Sequence, residues 1–147
     1  FWRLVMTLYS HILVGLDLSE ESEAVLSTAQ ELATRLDAKL SVAHILEPLA
    51  FAYGGDMPID LTEAQHMMEY QAQKRLQKIS ETHNIPKSNQ IVVLGHTTSS
   101  LRELAETREA DLIVVGSHGR HGLAIIFGST AKGVLKGATC DVLAVKV

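Results

Sequence analysis

Cysteine is almost missing from this chain. Cys140 stands alone among 147 residues, which excludes an intramolecular disulfide and fits a reducing, cytoplasmic setting. Long apolar runs are missing too. No stretch approaches the roughly 18 residues that a membrane-crossing helix needs. Positive charge is in short supply, with 13 Lys and Arg against 17 Asp and Glu and a net charge of −4. That balance argues against a nucleic-acid surface as the main purpose. The chain shows no internal repeat, low-complexity tract or linker, so a single domain is expected.

Several catalytic and cofactor signatures are absent as well. There is no Gly-x-x-x-x-Gly-Lys-Ser/Thr loop, and Gly15 stands alone after the first strand pattern, so the dinucleotide fingerprint fails. Neither a Gly-x-Ser-x-Gly elbow nor a His-Glu-x-x-His helix occurs. No catalytic residue stands out, and a non-enzymatic role is placed ahead of an enzymatic one. His118 and His121 have no Asp, Cys or Glu at ligand spacing, so no metal site is assigned. His44, inside a strand pattern, reads as a buried, hydrogen-bonded side chain, and Cys140 as a small packing residue.

What is present is a regular alternation. Residues 10–17, 39–46, 90–95, 111–116 and 141–147 are short apolar runs, most of them rich in β-branched residues, and each reads as a strand covered on both faces. Between them, apolar spacings of three and four predict helices. The first runs from an N-cap at Ser19 to about Leu36, with Ala24, Val25, Thr28, Ala29, Leu32, Ala33 and Leu36 on its face. The second runs from a capping box at Asp60 and Glu63 to about His83, with Ala64, Met67, Met68, Gln71, Ala72, Leu76 and Ile79 facing inward. A third spans 101–108 behind a box at Ser100 and Glu103. A fourth spans 129–136 and buries Ala131, Val134, Leu135 and Ala138. Residues 47–60 read as a long loop. Five strands and four helices in alternation predict an open, mainly parallel α/β sheet with helices on both faces.

In such a sheet, ligands sit beyond the carboxyl ends of the strands, where the strand order reverses. The chain offers a suitable sequence there. After the run Asp111-Leu-Ile-Val-Val come Gly116, Gly119, Gly122 and Gly128-Ser129-Thr130. Glycines let a backbone approach a ligand closely, and a helix opening at Ser129 presents free N–H groups and a favourable dipole to a phosphate. Ser129 and Thr130 are either phosphate contacts, N-caps, or both. Arg120 and Lys132 are the nearby cations, either holding phosphate or simply solvated. Asp17, at the end of the first strand, is either a ligand acceptor or a turn residue.

Four segments carry a family resemblance: the opening His11-Ile-Leu-Val-Gly-Leu-Asp-Leu-Ser19, the middle Ala43-His44-Ile45, the run from Ala110 through Gly116-Ser-His-Gly-Arg120, and the ending Cys140-Asp-Val-Leu-Ala-Val. Together they resemble a universal stress protein domain of the A-type bacterial kind, covering about residues 10–147. Residues 1–9 are then expected to precede the domain, with a natural start at Met6. The resemblance implies a Rossmann-like, adenine-nucleotide α-hydrolase-like sheet of order 3-2-1-4-5. It also implies a cytoplasmic homodimer acting in stress response, with Val142, Leu143, Ala144 and Val145 at the interface.

ATP-binding members of that family carry Gly-x2-Gly-x9-Gly-Ser/Thr. Here Gly116-x2-Gly119 fits and Gly128-Ser129 supplies the final pair, but eight residues rather than nine lie between. By that resemblance ATP, with Mg²⁺, would meet Asp17 at its ribose or base and Ile45 at its adenine. Val115 would lie beside the base, and Gly116, Gly119, Gly128, Ser129 and Thr130 around the phosphates. The alternatives are a dimeric interaction protein without a nucleotide site and, third, an ATP hydrolase or adenylyl-transfer enzyme.

Overall fold

The computed structural model describes residues 8–49, 60–117 and 129–147, with Ser129 as backbone only. The elements follow the expected alternation: β1 (His11–Gly15), α1 (Ser22–Leu36), β2 (Lys39–Leu46), α2 (Thr62–Thr82), a 3-10 turn (Lys87–Asn89), β3 (Gln90–Leu94), α3 (Thr97–Thr107), β4 (Leu112–Gly116), α4 (Ser129–Gly137) and β5 (Asp141–Val145). All four strand pairings are parallel, and the order is β3-β2-β1-β4-β5. The fold class and strand order agree with expectation. The Met6 start and Gly119, Arg120 and Gly128 lie outside the described residues.

Alternation along the strands sends side chains to two cores, one on each side of the sheet. Ile12, Val14, Val42, Leu112 and Val114 pack with Val25, Leu26 and Ala29 of α1 and Leu76 of α2. Leu13, Ala43, Ile45, Ile113 and Val115 pack with Leu101 and Ala105 of α3 and Ala131 and Val134 of α4. Full burial of each such Leu, Ile or Val contributes about 1.5–3 kcal/mol. The inner strands carry no polar face because neither face meets water.

Several local expectations need correction. On α1, Leu26 is buried while Ala24 and Thr28 are exposed. The buried stripe runs from Ser22 through Val25 and Leu26 to Ala29 and Ala33. On α2 only the C-terminal half packs inward: Ala72 and Leu76 are buried, whereas Met67 is 58% exposed and Ala64 and Gln71 face solvent. Leu135 of α4 is likewise turned outward.

The predicted caps also differ. Glu21, not Ser19, occupies the N-cap of α1, and Ser19 instead shapes the turn before it. The Asp60 carboxylate accepts the Thr62 N–H, but the N-cap is Leu61. Helix α3 starts at Thr97, leaving Ser100 inside its first turn. Its opening N–H and the Thr97 hydroxyl donate instead to the carboxylate of Glu47, just past the end of β2. A carboxylate from a neighbouring strand thus replaces the local box, and its charge complements the helix dipole.

The two ends of the sheet are built differently. Helices α1, α2 and α3 each stop at a residue of positive φ, Asp37, Asn84 and Glu109. There the following N–H turns back to a carbonyl five residues earlier: Ala38 to Ala33, Ile85 to Ser80, Ala110 to Ala105. These tight stops bring the chain straight into β2, towards β3 and into β4. At the N-terminal edge, Asp111 accepts the backbone N–H groups of Ser10 and His11 and clamps the start of β1 beside β4. The two longest connections, after β2 and after β4, leave from the opposite edge, at the carboxyl ends of the strands.

Candidate functional site

From β1 the chain crosses to β2 on one side, and β4 pairs on the other, with Ile12, Leu13 and Val14 opposite Leu112, Ile113 and Val114. The order reverses between β1 and β4. A crevice at the carboxyl ends of these two strands is where an open α/β sheet receives ligands. The turn after β1 and the chain leaving Gly116 are therefore neighbours.

The β1–α1 turn is firmly built. Asp17 Oδ1 accepts the Ser19 N–H (3.0 Å), the Ser19 hydroxyl (2.6 Å) and the Ser22 hydroxyl (3.2 Å). Leu18 between them has φ 60°, a conformation costly for a branched residue and one that the surrounding bonds must hold. From β2, His44 Nδ1 donates to the Leu16 carbonyl at 2.8 Å. A carbonyl can only accept, so Nδ1 carries the proton. His44 is the buried, bonded histidine that its strand position suggested. Asp17 is a turn residue. Among the described residues all three of its bonds fall on Oδ1, which leaves Oδ2 to accept from a ligand.

Gly15, at the end of β1, leaves room for its neighbours: a Cβ there would lie 2.9 Å from Leu101 Cδ1, which would have to shift, and 3.4 Å from Val115 Cγ1. The close packing of Leu101 of α3 against this strand end uses that glycine. Ile45 and Val115 share this face of the sheet and belong to the core cluster itself, with 7% and 2% of their surfaces exposed. A ligand at the strand ends would touch only their rims.

On the β4 side, Gly116 lies opposite Val145 of β5. Ser117, which sequence reasoning passed over, is 7% exposed and bonded to β5 through both its N–H and its hydroxyl oxygen. Its polarity beside a glycine at a strand end was the available signal. Helix α4 opens with Ser129 and a half-buried Thr130, and residues 138–140 lead from it into β5. Ala131 and Val134 seat it on the sheet. Asp17, Gly116 and the rims of Ile45 and Val115 thus gather at one edge. Among the described residues no group of three His, Cys, Asp or Glu side chains is placed to hold a metal. Burial raises the Cys140 thiol pKa, and the nearby Asp141 and Asp111 charges add to it, so the thiol is protonated and poorly reactive.

This sheet order accompanies a match to a known family. The universal stress protein family model matches residues 8–146. The chain belongs to the universal stress protein family. Two relatives in Coxiella burnetii, universal stress protein A homologs 1 and 2, are each 41% identical. The first match covers 93% of this chain and 96% of the relative, the second 95% and 96%. The A-type resemblance agrees with both. A solved universal stress protein in complex with cAMP superposes with a TM-score of 0.66 at 25% identity, covering 94% of this chain and 97% of that one. No helix among the described residues is long and apolar enough to cross a membrane.

Proposed function

We propose that this universal stress protein is a cytoplasmic, homodimeric stress-response factor that holds an adenine nucleotide in the β1/β4 crevice. The observation that carries this reading is the reversal of strand order, which sets the Asp17 turn beside the chain leaving Gly116. The relative in complex with cAMP supports adenine as the base. The described residues fit such a ligand: Asp17 keeps one carboxylate oxygen unengaged for a ribose hydroxyl, and Gly116 offers no side-chain obstruction. Gly119, Arg120, Gly128, Ser129 and Thr130 would surround the phosphates. Mg²⁺ would arrive on ATP rather than on a protein cluster.

For the dimer, β5 is one of the two edge strands of the sheet, and a sheet edge is a template for a second strand. Val142, Ala144 and Val145 are half-buried within the chain, while Leu143 is 36% exposed and would be the contact that a partner covers.

One feature favours a second reading, a dimeric interaction protein without nucleotide. The segment between Gly119 and Gly128 holds eight residues rather than nine. The missing residue amounts to as much as about 3.5 Å of chain. Thermal-shift titration with ATP plus Mg²⁺ and with cAMP separates the two. A nucleotide at 100 times its dissociation constant stabilises the fold by about 2.7 kcal/mol. No shift with either nucleotide at millimolar concentration would sink the nucleotide reading and favour the second.

A further inference from the structure

At the N-terminal edge of the sheet, the end of α2 meets α1 through one histidine. His83 is the C-cap of α2, and its side chain is 9% exposed. Its Nδ1 faces Gln30 Oε1 and its Nε2 lies 2.5 Å from Glu23 Oε1, both partners being on α1. The Gln30 amide is oriented by its other end, because Gln30 Nε2 donates to the His83 carbonyl. Turning that amide over would set Oε1 against the carbonyl, two acceptors with no proton between them. Both ring nitrogens therefore face acceptors. A neutral ring has one N–H and would leave a nitrogen lone pair against an oxygen. An imidazolium satisfies both contacts.

From this geometry we propose that His83 is a charged clamp between α1 and the end of α2, closed while the ring holds two protons and opened as rising pH removes one. The helix itself favours the charge. The last turn of α2 carries no Lys or Arg, so an imidazolium there meets the negative end of the helix dipole uncontested. Glu23 supplies the counter-charge through a charge-assisted bond. Two further charged groups, Asp37 just past α1 and Lys39 opening β2, line with His83 an open depression of about 390 Å³. Once the ring is neutral, its single N–H can serve Gln30 or Glu23 but not both. The end of α2 then loses one tie to α1. The turn that follows is loosened with it, where the Asn84 and Ile85 N–H groups donate back to the Glu81 and Ser80 carbonyls. The clamp's contribution is complete at low pH and is lost as pH rises.

Glu23→Gln removes the need for charge while keeping the contacts. The new amide can donate to a bare Nε2, so a neutral ring with its proton on Nδ1 then satisfies every partner. Imidazole nitrogen NMR at neutral pH should show both His83 nitrogens protonated in the unaltered protein and only Nδ1 protonated in the variant. Hydrogen exchange of the Ile85 amide, corrected for the chemical effect of pH, gives the second readout. From about pH 6 to about pH 9, a span around the ordinary histidine range, it should quicken about tenfold in the unaltered protein. That is the scale of one hydrogen bond to a charged group. The variant should show no such rise. Loss of the Glu23 charge from the first turn of α1 acts equally across that span, so the slope isolates the ring. A single protonated His83 nitrogen in the unaltered protein, or equal slopes in the two proteins, would overturn the proposal.

Discussion

At the scale of single residues, the N-terminal edge of the sheet is held by groups whose charge depends on pH. His11 is 6% exposed. Its Nδ1 donates to the Arg108 carbonyl and its Nε2 accepts from the Ser41 hydroxyl, the arrangement of a neutral ring. Burial lowers its pKa, with the Lys39 and Arg108 charges acting in the same direction, against the raising effects of the Arg108 carbonyl bond and the Asp111 charge. As pH falls below about 6.5, the unfolded chain therefore takes up the proton before the native one. The contribution is complete above that pH and is lost as pH falls through the lower native pKa. Urea midpoints should decline over this range, and His11→Gln should flatten the decline; parallel profiles would contradict it.

Asp111 acts in the same direction at lower pH. Burial pushes its pKa up, but the Ser10 and His11 N–H bonds and the Ser10 hydroxyl outweigh burial and leave it lowered. Its contribution is present above about pH 3.9 and disappears as pH falls through the native value. At neutral pH Asp111→Asn should cost about 1–2 kcal/mol, since the carboxylate is only partly shielded. Denaturant titration at two pH values gives both the size and the sign.

Among the elements, contacts between neighbours decide what local pattern could not. The Ser100 and Glu103 spacing satisfies a capping rule, yet the helix starts four residues earlier because Glu47 reaches it from the end of β2. Glu47→Ala should therefore destabilise the protein by about 0.5–1 kcal/mol, an effect reduced by added salt, while Glu103→Ala leaves stability near that of the parent. Gly15 is a similar case. Read along the chain it is a strand glycine of no fixed purpose, but in the fold it leaves room for Leu101. Gly15→Ala should cost about 1–3 kcal/mol through overpacking, and Leu101→Val in the same chain should recover part of it. Equal losses in the single and double variants would mean that the strain lies elsewhere.

Over the whole molecule, the sheet has two edge strands, β3 and β5, and only the pairing of chains tells which is used. The proposed dimer predicts that Leu143→Glu, a charge at the exposed position of β5, shifts sedimentation from dimer to monomer at micromolar concentration without unfolding the chain. An unaltered dimer would move the interface away from β5. Leu94 on β3 is 46% exposed, so Leu94→Glu serves as the matching control at the other edge.

Strand and helix succession was legible in the residues because burial on both faces demands continuous apolar strands, and packing on one face demands a three-and-four spacing. Lys39–Leu46 and the end of α1 at Leu36 fall where those patterns place them. The glycine sequence after β4 was likewise visible, and with it the family. Burial of Met67 and Leu135 was misjudged, since a spacing pattern tells which face a residue occupies but not how far along the helix a neighbour extends. The register that sets the Asp17 turn beside Gly116, the carboxylate of Glu47 on a distant helix, and the bonds of Ser117 to Val145 and Val147 arise from parallel pairing between segments far apart in the chain. Their physical cause is hydrogen bonding across strands, which local sequence does not encode.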